Sequence, residues 1–409
     1  MGRSMIETID PVNIQAVLAH QFEDFDLGSR NDCMRPLLGE GIFASDGPVW
    51  EHSRALLRPN FVRAQVSDMN NVYEKHVSRL IRKIPVDGST TIDSATEFLF
   101  GKSVDTLLAN ESNSTANSTS NAFAQDFQIS QAGILLRIRL GGLKAFYRDK
   151  AFTKATEDSR EYCMGIVREA LANRDSPKSS SDQSYVFLHE LMKQSQDEKM
   201  LADQLLNLLL AGRDSTAGLL SILFLTLAKR QDILLKLREE VLPKLDGRKP
   251  SFEDLKSMTY LTWCLKETLR VYPIVPINVR VANKNTTLPT GGGPNGNLPL
   301  FIPKGQEVMY SSFSIHRLPE VFGEDAEEFR PERWEGLKPG WAYTPFSGGP
   351  RICLGQQFAM TEAAYTTVRI LQEFDHIESR DPEPFKENVT LTLASQNGTK
   401  VALTSSQKQ

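Results

Sequence analysis

The run Phe346-Ser347-Gly348-Gly349-Pro350-Arg351-Ile352-Cys353-Leu354-Gly355, followed by a helical pattern over residues 356–374, constrains this chain more than any other stretch. Glycine at 349 and 355 can take backbone angles closed to other residues, which lets the main chain approach a flat ligand. Cys353 is expected beside the first N–H groups of the following helix, whose unpaired donors favour a thiolate over a thiol. Phe346 can lie against a planar ring system and keep water away, and Arg351 can hold a carboxylate bidentately. The run therefore reads as a thiolate presented from a loop to a planar cofactor, with Cys353 as the metal ligand. The alternative is a structural cysteine in a glycine-rich turn. Free cysteine is often simply a small core residue, and that is the reading for Cys33, Cys163 and Cys264.

The spacing Phe-x-x-Gly-x-Arg-x-Cys-x-Gly resembles the signature of the cytochrome P450 superfamily. The resemblance implies a mainly α fold with small β-sheets, as one domain over residues 1–409. It also implies heme b, with Cys353 ligating the iron and Phe346, Gly349, Arg351 and Gly355 around it. A thiolate ligand suits oxygen activation rather than oxygen storage.

The 409 residues are enough for one large domain, which the resemblance favours over two or three. With 47 basic and 51 acidic residues the net charge is −4, which gives no reason to expect a nucleic-acid partner. Four cysteines at no finger or disulfide-framework spacing fit a reducing compartment. The polar run 111–120, with sequons at Asn110, Asn113 and Asn117 in and beside it, reads as a mobile surface loop, and 175–184 as a polar linker. Residues 1–10 do not read as a signal peptide. The most apolar stretch, 205–228, carries Arg213 and Asp214 at its centre and reads as a buried helix rather than a membrane span.

Along the chain, residues 6–10 read as a strand ending at Pro11, and 12–20 as a helix. Members of the family usually begin earlier, with a membrane anchor, a first helix and a partner strand. The expectation is thus a shortened fold whose first strand keeps an open edge. In the element over 41–61, Trp50 and Arg54 stand four apart on one helical face, where indole and guanidinium can both donate to carboxylates. The resemblance assigns them, with Arg280, to the haem propionates. Residues 123–172 read as amphipathic helices, which in the family cover the substrate entrance and touch the membrane.

The long helix expected over 201–229 contains Ala211-Gly212-Arg213-Asp214-Ser215-Thr216. Ala211 and Gly212 lie one turn before Ser215, so the hydroxyl's face is otherwise bare and leaves room for dioxygen. An acid beside a hydroxyl can relay protons to a distal oxygen. In the family's motif Ser215 takes the place of threonine and Thr216 follows it. Glu267 and Arg270 form Glu-x-x-Arg, a spacing repeated at Glu51/Arg54, Glu157/Arg160 and Glu327/Arg330. Context separates the first pair, and the resemblance joins Glu267 and Arg270 to Arg333 as a structural triad. Segments 276–281 and 301–310 read as strands around a turn at 291–297. Ile274, Val275, Ile277 and Val279 are expected to face the ligand, together with Leu391 and Leu393 of a hairpin turning at Asn397-Gly398.

The four motifs occur in family order, and the wording around them resembles the fungal branch that hydroxylates alkanes and fatty acids. The resemblance implies a monomeric monooxygenase that takes electrons from an NADPH-dependent reductase and inserts one atom of O2 into a C–H bond of a lipophilic substrate. It places the enzyme on the cytosolic face of the endoplasmic reticulum, with peripheral membrane contact through 123–172. Two rivals make different demands. A haem-thiolate isomerase or dehydratase needs neither reductase nor proton relay, whereas Asp214 and Ser215 are present here. A shortened, non-catalytic product would hold haem poorly.

Overall fold

The computed structural model describes residues 5–61, 73–82, 115–173 and 187–405, with backbone alone for 115–121. The linker read at 175–184, with Asn110 and Asn113, lies outside these residues. The run 111–120 is not a loop throughout, because the backbone is helical from Thr115.

The organising element is the helix Glu198–Lys229, capped by the Asp197 carboxylate on the Met200 N–H at 3.1 Å. Its leucines enter the largest hydrophobic core, and it packs against the helices Lys150–Ala172, Gln356–Glu373 and Thr259–Val271. Length and composition alone would let it cross a membrane. Polar residues tie it into the protein instead. Asp203 accepts from the Glu40 N–H at 2.9 Å and from Arg160 at 2.7 Å. Asn207 bridges the Phe43 N–H at 3.1 Å and the Leu38 carbonyl at 3.0 Å. Gly39, at φ +60°, makes this possible, since a Cβ there would overlap the Asp203 carboxylate. These bonds fix the loop that leads into the helix Gly47–Leu57.

Among the described residues, four small sheets flank the helices. In the largest, β1 (Met5–Thr8) lies at the edge and pairs in parallel with β6 (Glu307–Ser311), with Ile6 opposite Val308. β6 in turn pairs antiparallel with β3 (Ile277–Ala282), and β3 with β2 (Phe25–Asp26). The stretch 301–310 is not one strand. β4 (Thr286–Gly292) and β5 (Leu298–Ile302) make their own hairpin, and a turn at Gly305, φ +86°, separates β5 from β6. The late hairpin also differs from the expected one. β8 (Glu387–Val389) meets β9 (Leu393–Ser395) through residues 390–392. Asn397-Gly398 instead leads out to β10 (Val401–Thr404), which pairs with β7 (His376–Ser379).

Candidate active site

The cysteine loop is closed by its own backbone, with the Cys353 N–H donating to the Phe346 carbonyl at 3.0 Å and the Ile352 N–H to Gly349 at 3.1 Å. The helix Gln356–Glu373 begins directly after Gly355. Cys353 is exposed, whereas Cys33, Cys163 and Cys264 are buried. Burial of the surroundings pushes the Cys353 thiol up, against the pull of the Gly355 N–H and the Arg54 guanidinium. The two glycines also differ in role. Gly349 sits at φ +63°, and a Cβ there would overlap the Leu18 carbonyl, so its freedom lets the loop lie on the helical segment 11–20. Gly355 is at φ −85° and open enough for a side chain, with the Cys353 Sγ 4.0 Å from an added Cβ.

Two cations lie near Trp50, with Arg351 centred 4.3 Å and Arg54 6.0 Å from its ring. Arg351 already holds a carboxylate of the protein, since its Nη2 donates to Asp46 at 2.6 Å. Asp46 is further occupied by Asn31 at 2.7 Å and the Leu27 N–H at 3.1 Å. Near this group lie Arg280, centred 5.9 Å from the Tyr310 ring, and Arg30, whose hydrogen bond goes to the Met34 thioether at 3.5 Å. Burial first lowers Arg30 to about 10, and the charge of Arg280 adds to it. Burial likewise lowers Arg351 to about 10, in spite of Asp46. Among the described residues, the Arg351 Nε and the Tyr310 hydroxyl are buried without hydrogen-bond partners. A surplus of guanidinium with unspent donors, close to an exposed cysteine, fits a dianionic, metal-bearing planar group. Arg30, Asp46 and Tyr310 were not foreseen, because no fixed spacing links them to the cysteine.

On the central helix the expected relay is laid out in pieces. The Ser215 hydroxyl donates to the Ala211 carbonyl at 2.6 Å. Asp214 instead accepts from the Gln131 amide at 2.7 Å, and Thr216 is buried. A cavity of about 720 Å³ opens beside them, lined by Gln131, Ala132, Leu135, Asp214, Gly218 and Leu391, among others. Of the six residues expected in a substrate pocket, only Leu391 lines it. Ile274 and Leu393 are core residues, joined by the Leu393 N–H donating to the Ile274 carbonyl at 2.8 Å. Val275 and Ile277 are exposed, and Val279 is half-buried. Alternation along β3 marks residues that share a face, not what that face meets.

Glu267, Arg270 and Arg333 meet with almost no exposure. Arg270 grips Glu267 through Nε at 2.9 Å and Nη2 at 2.8 Å, and the Arg333 Nε joins at 3.1 Å. Their remaining nitrogens reach the carbonyls of His316, Ala326 and Glu328 at 3.0, 2.6 and 2.8 Å, and Asp325 at 2.9 Å. His316 extends this knot toward the cysteine loop. Its Nε2 accepts from the Thr344 N–H at 2.9 Å, which leaves the proton on Nδ1, 3.3 Å from the Arg270 carbonyl. Burial lowers His316 from 6.5 to about 3. The unfolded chain thus binds the extra proton between these values, so the contribution of neutral His316 is complete above pH 6.5 and falls as pH drops toward 3, by about 1.4 kcal/mol per pH unit. Denaturant unfolding between pH 7 and pH 4 is expected to show a steeper loss in the parent than in His316→Gln, and parallel curves would refute this.

The family model for "Cytochrome P450" matches residues 1–401. The chain belongs to the cytochrome P450 family. The cytochrome P450 monooxygenase himC of Aspergillus japonicus is 47% identical over 98% of this chain and 74% of its own length. Cytochrome P450 52A13 of Debaryomyces hansenii is 45% identical over 98% of this chain and 82% of its own. Among solved structures, the crystal structure of the cytochrome P450DA heme domain superposes with a TM-score of 0.82 at 21% identity, covering 100% of this chain and 90% of that one. As a cytochrome P450, the protein is a haem-thiolate monooxygenase that uses O2, an organic substrate and electrons from a redox partner.

Proposed function

We propose that this cytochrome P450 hydroxylates a C–H bond of a lipophilic substrate, a fatty acid or alkane or a secondary metabolite, with electrons from an NADPH-dependent reductase. Cys353 is the iron ligand, and Arg351, Arg280, Trp50 and Arg54 hold the propionates, with Phe346 against the ring. When bound, the haem supplies the oxygen-activating chemistry, which a thiolate ligand favours. The protein's own contribution is shape and protons. The cavity presents leucine, alanine and phenylalanine side chains to an apolar chain. Asp214 takes a proton from the solvent-facing side and gives it to the Ser215 oxygen as that hydroxyl passes its own proton on.

The observation that carries this proposal is the place of Asp214, a carboxylate in the wall of an apolar cavity, one residue from Ser215. Asp214→Asn is expected to lower product formation about a hundredfold while the haem spectrum stays unchanged. Product formation at the parent's rate would remove Asp214 from the proton path. A screen for product should begin with fatty acids.

Membrane contact is supported by the segment Gly141–Phe146, where Leu143 is 64% and Phe146 83% exposed beside Arg148 and Lys150. Apolar tips among basic residues suit an anionic lipid surface, which agrees with a place on the cytosolic face of the endoplasmic reticulum. The monomeric chain is expected to float with anionic liposomes, and Leu143→Ser/Phe146→Ser to stay in the soluble fraction. A parent that remains wholly soluble would refute the contact.

A further inference from the structure

We propose that Gln131 is a positioning residue that clasps the acid of the proton path and releases it when the cavity is occupied. Gln131 stands on the helix Thr115–Leu140 and is buried. Its amide is used at both ends by two consecutive residues of the central helix. Nε2 donates to the Asp214 Oδ2 at 2.7 Å, and Oε1 accepts from the Arg213 Nη1 at 3.0 Å. The ring closes through the ion pair of the Arg213 Nε with the Asp214 Oδ1 at 3.6 Å. A primary amide is the one uncharged side chain that offers a donor and an acceptor side by side in this way, and a glutamate here would repel Asp214.

All three residues also line the cavity, and the clasp therefore forms part of its wall. Two helices are joined across the space a substrate would fill, Gln128, Gln131 and Ala132 from one and Arg213, Asp214 and Ala217 from the other. With the clasp shut the proton path is broken at both of its residues. Asp214 is turned to Gln131, and the Ser215 hydroxyl is spent on the Ala211 carbonyl at 2.6 Å. A bond of 2.7 Å ceases to be one once its partners part by about 1 Å. A substrate lying along the Gln131 face and easing the two helices apart by that amount frees the carboxylate to turn toward Ser215. Occupancy thereby licenses proton delivery, and an empty enzyme withholds it.

The clasp presupposes the Asp214–Ser215 path proposed above, so the test separates the two. Gln131→Leu keeps the volume and removes both hydrogen bonds, and Gln131→Glu keeps the shape and repels Asp214. Each is compared with the parent and with Asp214→Asn, after checking that the haem spectrum is unchanged. Substrate-free NADPH oxidation by the reconstituted enzyme is expected to rise about tenfold in both Gln131 variants, the effect of one hydrogen bond to a charged group. A second readout needs no turnover. In thermal unfolding, Gln131→Leu/Asp214→Ala is expected to lose less than the summed losses of its single variants, since both remove one shared contact.

Substrate-free oxidation at the parent's rate in both Gln131 variants, with Asp214→Asn still impaired in product formation, would overturn the clasp and leave the proton path standing. Unimpaired product formation in Asp214→Asn would overturn both.

Discussion

Cys353→Ala is expected to lose the strongly red-shifted Soret band that the parent shows when reduced and bound to carbon monoxide. The band reports a sulfur bound as thiolate, and alanine leaves no donor at that position. The loop itself should survive, because the bonds that close it are made by backbone, from the Cys353 N–H to Phe346 and from the Ile352 N–H to Gly349. A loss of the band with the unfolding midpoint nearly unchanged would therefore isolate ligation from folding. Cys264→Ala serves as control, because burial pushes that thiol up and keeps it a neutral core group. A band that persisted in Cys353→Ala would assign the sulfur elsewhere. A parent without the band would question haem retention itself.

The second large effect is expected at Glu267→Gln, where the loss is in folding rather than chemistry. The Glu267 carboxylate receives the Arg270 Nε and Nη2, the Arg333 Nε, the Trp334 Nε1 and the Arg330 N–H, all within 3.1 Å. An amide turns one acceptor into a donor facing these donors; among the described residues it leaves Arg333 with Asp325 and Arg270 with no paired carboxylate. Removing one partner of a buried ion pair costs about 3–5 kcal/mol. Much of a typical domain's net stability is no larger than that. Soluble, haem-loaded Glu267→Gln is accordingly expected in small yield, with a sharply lowered midpoint. Glu327→Gln removes a surface pair with Arg317, Glu327 being 77% exposed, and should change little. Equal midpoints for the two variants would refute a structural role for the triad.

These two glutamates show how far the sequence could be read. Both head a Glu-x-x-Arg spacing, and spacing alone cannot separate them. Order along the chain favoured Glu267, and burial is what distinguishes it. The long helix was legible because its apolar run ends at clear caps, and its midpoint charges argued against lipid. Contacts between remote segments were not legible. Gln131 and Asp214, or Arg30 and Arg280, share no period or motif that would announce their meeting. The pocket residues could not be read for a related reason. Alternation says which residues share a face, and says nothing of whether that face meets a cavity, the core or water.

The seat of Gly349 on the Leu18 carbonyl has a consequence for how the protein is made. The cysteine loop rests on backbone from far earlier in the sequence, so its floor and its closing segment leave the ribosome far apart in time. Closing so long a loop is entropically slow compared with local structure. Cofactor capture thus waits for Gly349 and Cys353, and a nascent chain stalled before them holds a finished floor with nothing to close over it.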